Sequence, residues 1–300
     1  MQNSGFLLKN ISIYDNLILL AYIFLGVRKC LKNLKSIWRV RRKTPRIGIF
    51  TPSKTDVEGL LIIDVYCLKR ENIMSKNFNL KAYLVIGEEN TKGRAVENIV
   101  KDAVDAGFTM VQIRSKVASA RDIIECLRAS ADAVKNSANE ATLIVNDRLD
   151  IFLAAKDMGI KVDGLHLGQK DIPPTTARKY IGEGAVLGVS ARAYELIDYV
   201  KNADTSFIDY FGAGPLHLTP TKPDAGKRAD GSFETRTLSE LTELAKISKI
   251  PVVVGGGVKA NDLPNLKKTG VDGFFVVSAV AGAENPYLAA KEMVEVWDKL

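Results

Sequence analysis

Apolar runs of strand length recur along the chain at Ala82–Ile86, Met110–Ile113, Thr142–Val145, Gly164–Leu167, Val186–Val189, Phe207–Phe211, Pro251–Val254 and Gly273–Val277. They are continuous rather than alternating, the pattern of strands covered on both faces. Between them the apolar positions change to helical spacing, as at Ala95, Ile99, Val100, Ala103 and Val104, or at Leu238, Leu241, Leu244 and Ala245. Eight strands alternating with helices over about 220 residues predict an α/β chain folded as a (β/α)8 TIM barrel. A doubly wound open sheet is the alternative; the strand count favours the barrel.

The segment before the periodic region reads differently. Leu17–Val27, LILLAYIFLGV, is an apolar run of eleven residues, well short of the ~20 that a membrane-spanning helix needs. It has the length of a signal-peptide core, but almost no positive charge precedes it and its basic cluster follows it. Residues 1–50 hold ten basic residues against one acid, a balance of +9, so a chain of net charge +7 leaves −2 for the other 250 residues. A polyanion argument therefore applies to the first fifty residues alone, and no nucleic-acid partner is expected. The division expected is a basic N-terminal extension, 1–73, irregular or dispensable, and a barrel over 74–300, with Met74 as the start of a competent core. A closed barrel has no unpaired edge for an extension to complete. Membrane contact through residues 1–50, with Arg28 to Arg46 as its cationic part, is kept as a rival to that view. Cys30, Cys67 and Cys126 are odd in number and scattered, giving neither a disulfide framework nor a metal-ligand spacing. A reducing, cytoplasmic setting fits them best.

In a barrel, the residues that end each strand face one mouth, where such folds place their chemistry. Strand 2 runs out into Gln112, Arg114 and Lys116, and strand 3 into Asn146-Asp147-Arg148. Before a helix, Asn146 and Asp147 also read as ordinary caps. After strand 4 come His166 to Asp171, and after strand 5 Ser190. Strand 6 opens into Gly212 to Lys222, strand 7 into Gly255-Gly256-Gly257, and strand 8 into Val277-Ser278. Arg114, Lys116 and Lys222 thus converge with Asp147 and Asp171. Carboxylates among cations would merely neutralise one another unless a hard divalent ion sits with them; Mg2+ suits one or two carboxylates plus phosphate oxygens. The glycine run and Ser278 match the barrel's usual phosphate site. Two anionic pockets follow, one for a metal-bound pyrophosphate and one for a phosphate.

At these residues the chain resembles the thiamine-phosphate synthase family: QIRSK, IVNDR, GLHLGQKD, GVSA, GAGP with TPTK, GGGV and VVSA occur in that family's order, from about Lys81 onward. The resemblance implies a transferase that joins 4-amino-2-methyl-5-hydroxymethylpyrimidine diphosphate to a thiazole phosphate and releases pyrophosphate. It implies Mg2+ held by Asp147 and Asp171. It places Gln112, Arg114, Lys116, Asn146, Ser190 and Lys222 on the pyrimidine diphosphate, with Arg114, Lys116, Ser190 and Lys222 in the catalytic set. Thr219, Thr221, Gly257, Val277 and Ser278 would hold the thiazole phosphate.

This chain departs from the family at a few points. His217 stands where a large apolar or aromatic side chain is expected and reads as a wall residue, while His166, between Leu165 and Leu167, reads as a satisfied barrel histidine. Surplus residues near Asp157 to Lys161 should fall on the face opposite the mouth. The glycine expected to open the helix after TPTK is absent near Thr235 to Leu238. A thiazole tautomerase of the same barrel is the nearest rival, but it relies on a histidine just after the GVS strand end, where this chain has Ser190-Ala191-Arg192. A non-catalytic, membrane-associated binding protein is the rival of a different class; it predicts decay of the site residues, which are retained.

Overall fold

The computed structural model describes residues 77–191, 195–219, 221, 226–228 and 230–299. The expected extension 1–73, Met74 and the apolar run at 17–27 lie outside the described residues. Eight parallel strands close into a barrel in chain order: β1 Ala82–Ile86, β2 Met110–Ile113, β3 Thr142–Asn146, β4 Gly164–Leu167, β5 Val186–Ser190, β6 Tyr210–Ala213, β7 Val252–Val254 and β8 Gly273–Val276. Closure pairs Ala82 with Phe274, Tyr83 with Phe275 and Leu84 with Val276. The helices are α1 Val96–Asp105, α2 Ala120–Lys135, α3 Leu149–Asp157, α4 Pro174–Ile181, α5 Leu196–Asn202, α6 Leu238–Ile247, α7 Leu263–Lys268, α8 Ser278–Ala281 and α9 Pro286–Asp298. Among the described residues, no helix is long and apolar enough to cross a membrane.

Strand alternation sorts the apolar residues into two cores. Leu84, Ile86, Val111, Ile113, Leu143, Val145, Leu165, Leu167, Leu187 and Val189 face outward and pack with the apolar stripes of the helices. Tyr83, Val85, Met110, Ile144, Val186, Tyr210 and Val253 face inward and fill the lumen, closed below by Leu80 and Phe78. A run such as LIVN is therefore continuous in sequence because both of its faces are buried, each against a different layer.

The seven other strands lie within one residue of their expected bounds; strand 6 does not. Expected at Phe207–Phe211, it spans Tyr210–Ala213, because Thr205–Phe207 is wound into a 3-10 turn whose start is capped by Asp204, which accepts from the Ser206 N–H at 3.0 Å. Asp209 then spends its carboxylate on the Leu187 N–H at 2.7 Å and on Arg178 Nη2 at 2.8 Å, both at the floor of the barrel.

Lumen volume is shared between neighbouring strands. Gly188 pairs with Tyr210 in register, and a Cβ on Gly188 would lie 2.1 Å from Tyr210 Cζ. Gly255 makes the same room for the Phe275 ring, with a built Cβ at 2.3 Å. Overpacking of this kind costs about 1–3 kcal/mol, so Gly188→Ala is expected to lower Tm by roughly 3–10 °C in thermal unfolding. An unchanged Tm would mean that the Tyr210 ring moves aside freely.

The candidate active site at the barrel mouth

β3 and β4 are adjacent, and their ends bring two carboxylates together. The Gly168 N–H donates to Asp171 Oδ2 at 2.6 Å. A Cβ built on Gly168 would lie 3.0 Å from Asp171 Oδ2 and 4.0 Å from Asp147 Oδ1, so the two groups flank one point in space. Burial opposes ionisation of Asp147, but hydrogen bonds with Lys116 and Asp171 outweigh it and hold its carboxyl below the usual range. Burial first, and then Asp147, push Asp171 up. The two carboxyls are thereby pushed in opposite directions, with the Lys116 ammonium on the Asp147 side of the pair.

Asp147 sits at φ 60, in the left-handed region, a conformation that a non-glycine residue keeps only where its surroundings impose it. Its N–H is tied to the His166 carbonyl at 2.7 Å. The helix-cap reading of Asn146 and Asp147 does not hold: the residue before α3 is Arg148, and no side chain caps that helix. Arg148 turns away to the surface, where it grips Asp150 at 2.5–2.8 Å. A divalent ion at this point would have Asp147 and Asp171 as its carboxylate ligands; among the described residues no set of three or more metal-ligating side chains occurs. It would complete its shell with water and substrate oxygens, which is the coordination Mg2+ accepts and Zn2+ structural sites do not.

The cations stand beside that pair. Lys116 Nζ makes an ion pair with Asp147 Oδ2, while its N–H donates to Glu89 Oε1 at 3.1 Å. Arg114 is half-buried and has no ion-pair partner among the described residues. Lys222 lies outside the described residues. Thr219 and Thr221 are half-buried and joined by the Thr221 N–H to Thr219 Oγ1 at 3.3 Å.

Across the mouth, Gly256 at φ 84 and Gly257 at φ 73 make the turn after β7. The loop after β6 is buttoned onto it: the Leu216 and His217 N–H groups donate to Gly255 and Gly256 carbonyls at 3.0 and 2.9 Å. A side chain on Gly257 would sit 2.8 Å from His217 Cβ, so glycine is required for this approach as well as for its φ. Val277 and Ser278 start α8 on the neighbouring strand end. His217 is exposed and bonds Asp262 Oδ1 through Nε2 at 3.0 Å, consistent with a wall residue. The surplus at Asp157 to Lys161 joins α3 to β4 at the end opposite the mouth. Thr237 takes over from the missing glycine, its side chain accepting from the Glu240 N–H at 3.2 Å to cap α6.

Below the mouth runs a chain of polar groups of which the strand-end reading names Gln112, His166 and Ser190 and misses the tyrosines between them. Gln112, 3% exposed, donates from Nε2 to Tyr83 Oη. The Tyr83 and Tyr210 hydroxyls are 3.0 Å apart. Tyr210 meets His166 Nδ1 at 2.9 Å, and His166 Nε2 meets Ser190 Oγ at 3.0 Å. Gln169 adds bonds from Nε2 to the Ser190 carbonyl and, at 3.1 Å, to Tyr199 Oη. His166 is thus the satisfied barrel histidine expected of it. Tyr83 and Tyr210 stand at inward positions near the beginnings of their strands, where a reading of strand ends does not reach.

The family model described as thiamine monophosphate synthase matches residues 82–280. The thiamine-phosphate synthase of Clostridium tetani is 35% identical over 219 residues, covering 73% of this chain and 96% of that one. That of Moorella thermoacetica is 36% identical over 214 residues, covering 71% and 94%. Among solved structures, a thiamine phosphate pyrophosphorylase from Pyrococcus furiosus superposes with a TM-score of 0.61 at 28% identity, covering 73% of this chain and 96% of its own.

Proposed function

The chain belongs to the thiamine monophosphate synthase family, and from that membership we propose that its mouth condenses 4-amino-2-methyl-5-hydroxymethylpyrimidine diphosphate with a thiazole phosphate, giving thiamine phosphate and pyrophosphate. The observation that carries the reading is the meeting of Asp147 and Asp171 from adjacent strand ends, with Lys116 against them. Mg2+ bound there would neutralise charge on the leaving pyrophosphate. Arg114, Lys116 and Lys222 add donors where that charge grows. Gln112, Asn146 and Ser190 orient the pyrimidine so that its methylene carbon, cationic once pyrophosphate leaves, faces the thiazole nitrogen. Gly257, Val277 and Ser278, with Thr219 and Thr221, hold the thiazole phosphate, and fixing both partners in one mouth makes the capture effectively unimolecular. A tautomerase reading has no histidine at Ala191 or Arg192 to work with.

The direct test mixes the purified protein with both substrates and Mg2+ and follows thiamine phosphate and pyrophosphate; absence of both products sinks the reading. Lys222→Ala is expected to lower kcat by about 10^2-fold and to raise KM by only a few-fold, as for a group that acts on developing charge. A change in KM alone would make Lys222 a ground-state anchor. Residues 74–300 expressed alone are expected to fold and turn over like the full chain. Recovery of the full chain alone with membranes would favour the tether instead.

A further inference from the structure

The buried chain from Gln112 to Ser190 has a direction. Gln112 donates its amide proton to Tyr83 Oη; either hydroxyl can be the donor between Tyr83 and Tyr210, and the arrangement that uses every proton within the chain has Tyr83 donating. In that arrangement Tyr210 gives its own proton to His166 Nδ1, a contact whose direction is set by the ring tautomer. A histidine that accepts at Nδ1 carries its proton on Nε2, so it donates to Ser190 Oγ. Every donor along the chain then has an acceptor, and the two ends emerge with opposite character. Gln112 presents Oε1, an acceptor, and Ser190 presents its O–H, a donor. Tyr83 Oη has room to accept from Gln112 and Tyr210 together, so the links from Tyr83 to Ser190 reverse as one unit; that reversal leaves the Tyr83 proton outside the chain and makes Ser190 the donor to His166 Nε2. Tyr83 and Tyr210 are 1% and 0% exposed, and burial raises both phenols well above their ordinary range, so both keep their protons.

We propose that Tyr83, Tyr210 and His166 act as positioning residues that fix the hydrogen-bond polarity of Gln112 and Ser190, so that the mouth selects a heterocycle bearing an amino group beside a ring nitrogen. This rests on the reading that Gln112 and Ser190 contact the aminopyrimidine. An amino N–H needs the acceptor and a ring nitrogen needs the donor; a mouth of reversed polarity would prefer the corresponding oxo compound. Such polar selection is strong because a mismatched partner leaves buried groups unpaired.

The chain has two histidines, so 15N-histidine labelling yields two rings, and His217→Gln identifies the remaining one as His166. The full-length protein is expected to show neutral His166 as the Nε2–H tautomer, and Tyr210→Phe to convert it to a mixture. In the synthase assay, Tyr83→Phe and Tyr210→Phe are each expected to lower kcat/KM for the pyrimidine diphosphate by about 10- to 100-fold, leaving KM for the thiazole phosphate within about two-fold. The double variant should be no worse than either single one, because one break interrupts the whole chain. An Nδ1–H tautomer, an Nε2–H tautomer that survives Tyr210→Phe, or additive losses that fall on both substrates alike would overturn the proposal. If Tyr210→Phe fails to fold, the wild-type tautomer and Tyr83→Phe still decide it. A wild-type protein with the expected tautomer but no synthase activity would refute the reaction and leave the polarity standing.

Discussion

Asp147→Asn is expected to lower kcat/KM for thiamine phosphate formation by about 10^3-fold or more, corresponding to loss of about 4 kcal/mol of charge stabilisation on the leaving pyrophosphate. Asp171→Asn should do the same. Asn keeps the shape of the side chain and tolerates the left-handed backbone at φ 60, so Tm should change little. Asp147→Ala should lose the same activity and about 1–2 kcal/mol of stability as well, because Ala is strained there. The pair of substitutions thus separates the carboxylate's chemistry from the backbone that presents it. The measurement is kcat/KM across a Mg2+ titration, beside a thermal melt; activity within ten-fold of wild type in both Asn variants removes the metal from this pair.

The largest effect on stability is expected at the opposite end of the barrel. Arg178 is 4% exposed and donates to the Phe207, Gly182 and Ala185 carbonyls at 3.0, 2.8 and 2.7 Å, and to Asp209 Oδ2 at 2.8 Å. It ties the end of α4 to the entries of β5 and β6. Arg178→Ala leaves three carbonyls and a carboxylate without this partner, a loss of about 3–5 kcal/mol, or roughly 10 °C in Tm for a domain of this size. Turnover at low temperature should persist, since nothing in the mouth is touched. A Tm within about 2 °C of wild type would show that water replaces the guanidinium at little cost.

Arg178 also shows where sequence reading stops. Its position in α4, in the stretch TTARKYIG, gives no sign that it turns inward, because the acceptors that hold it come from loops of irregular backbone. The strands were legible because burial on both faces writes itself as unbroken apolar runs. Strand 6 was misplaced because Phe207 and Ile208 continue such a run through a turn that Asp204 starts, and a side chain bonding its own backbone overrides apolar pattern locally. At the site, Asp147 and Asp171 could be read from their places at strand ends. Tyr83 and Tyr210 could not be read that way. Aromatic residues within apolar strands look like filling, and the hydroxyl that makes two of them polar partners is invisible until the lumen brings them face to face.

The fit of Tyr210 into the space left by Gly188 makes these two positions a single unit of variation. Tolerance measured at one depends on the residue at the other, so a deep scan of single substitutions would score both as intolerant and miss that they trade volume. On a Tyr210→Val background, Gly188→Ala should become nearly neutral for folding. That compensated barrel would nonetheless have broken the phenol link to His166. Drift across this pair is therefore open to the fold and closed to a lumen that must keep its hydroxyls in line, and the two constraints can be told apart by whether Tm or kcat/KM recovers.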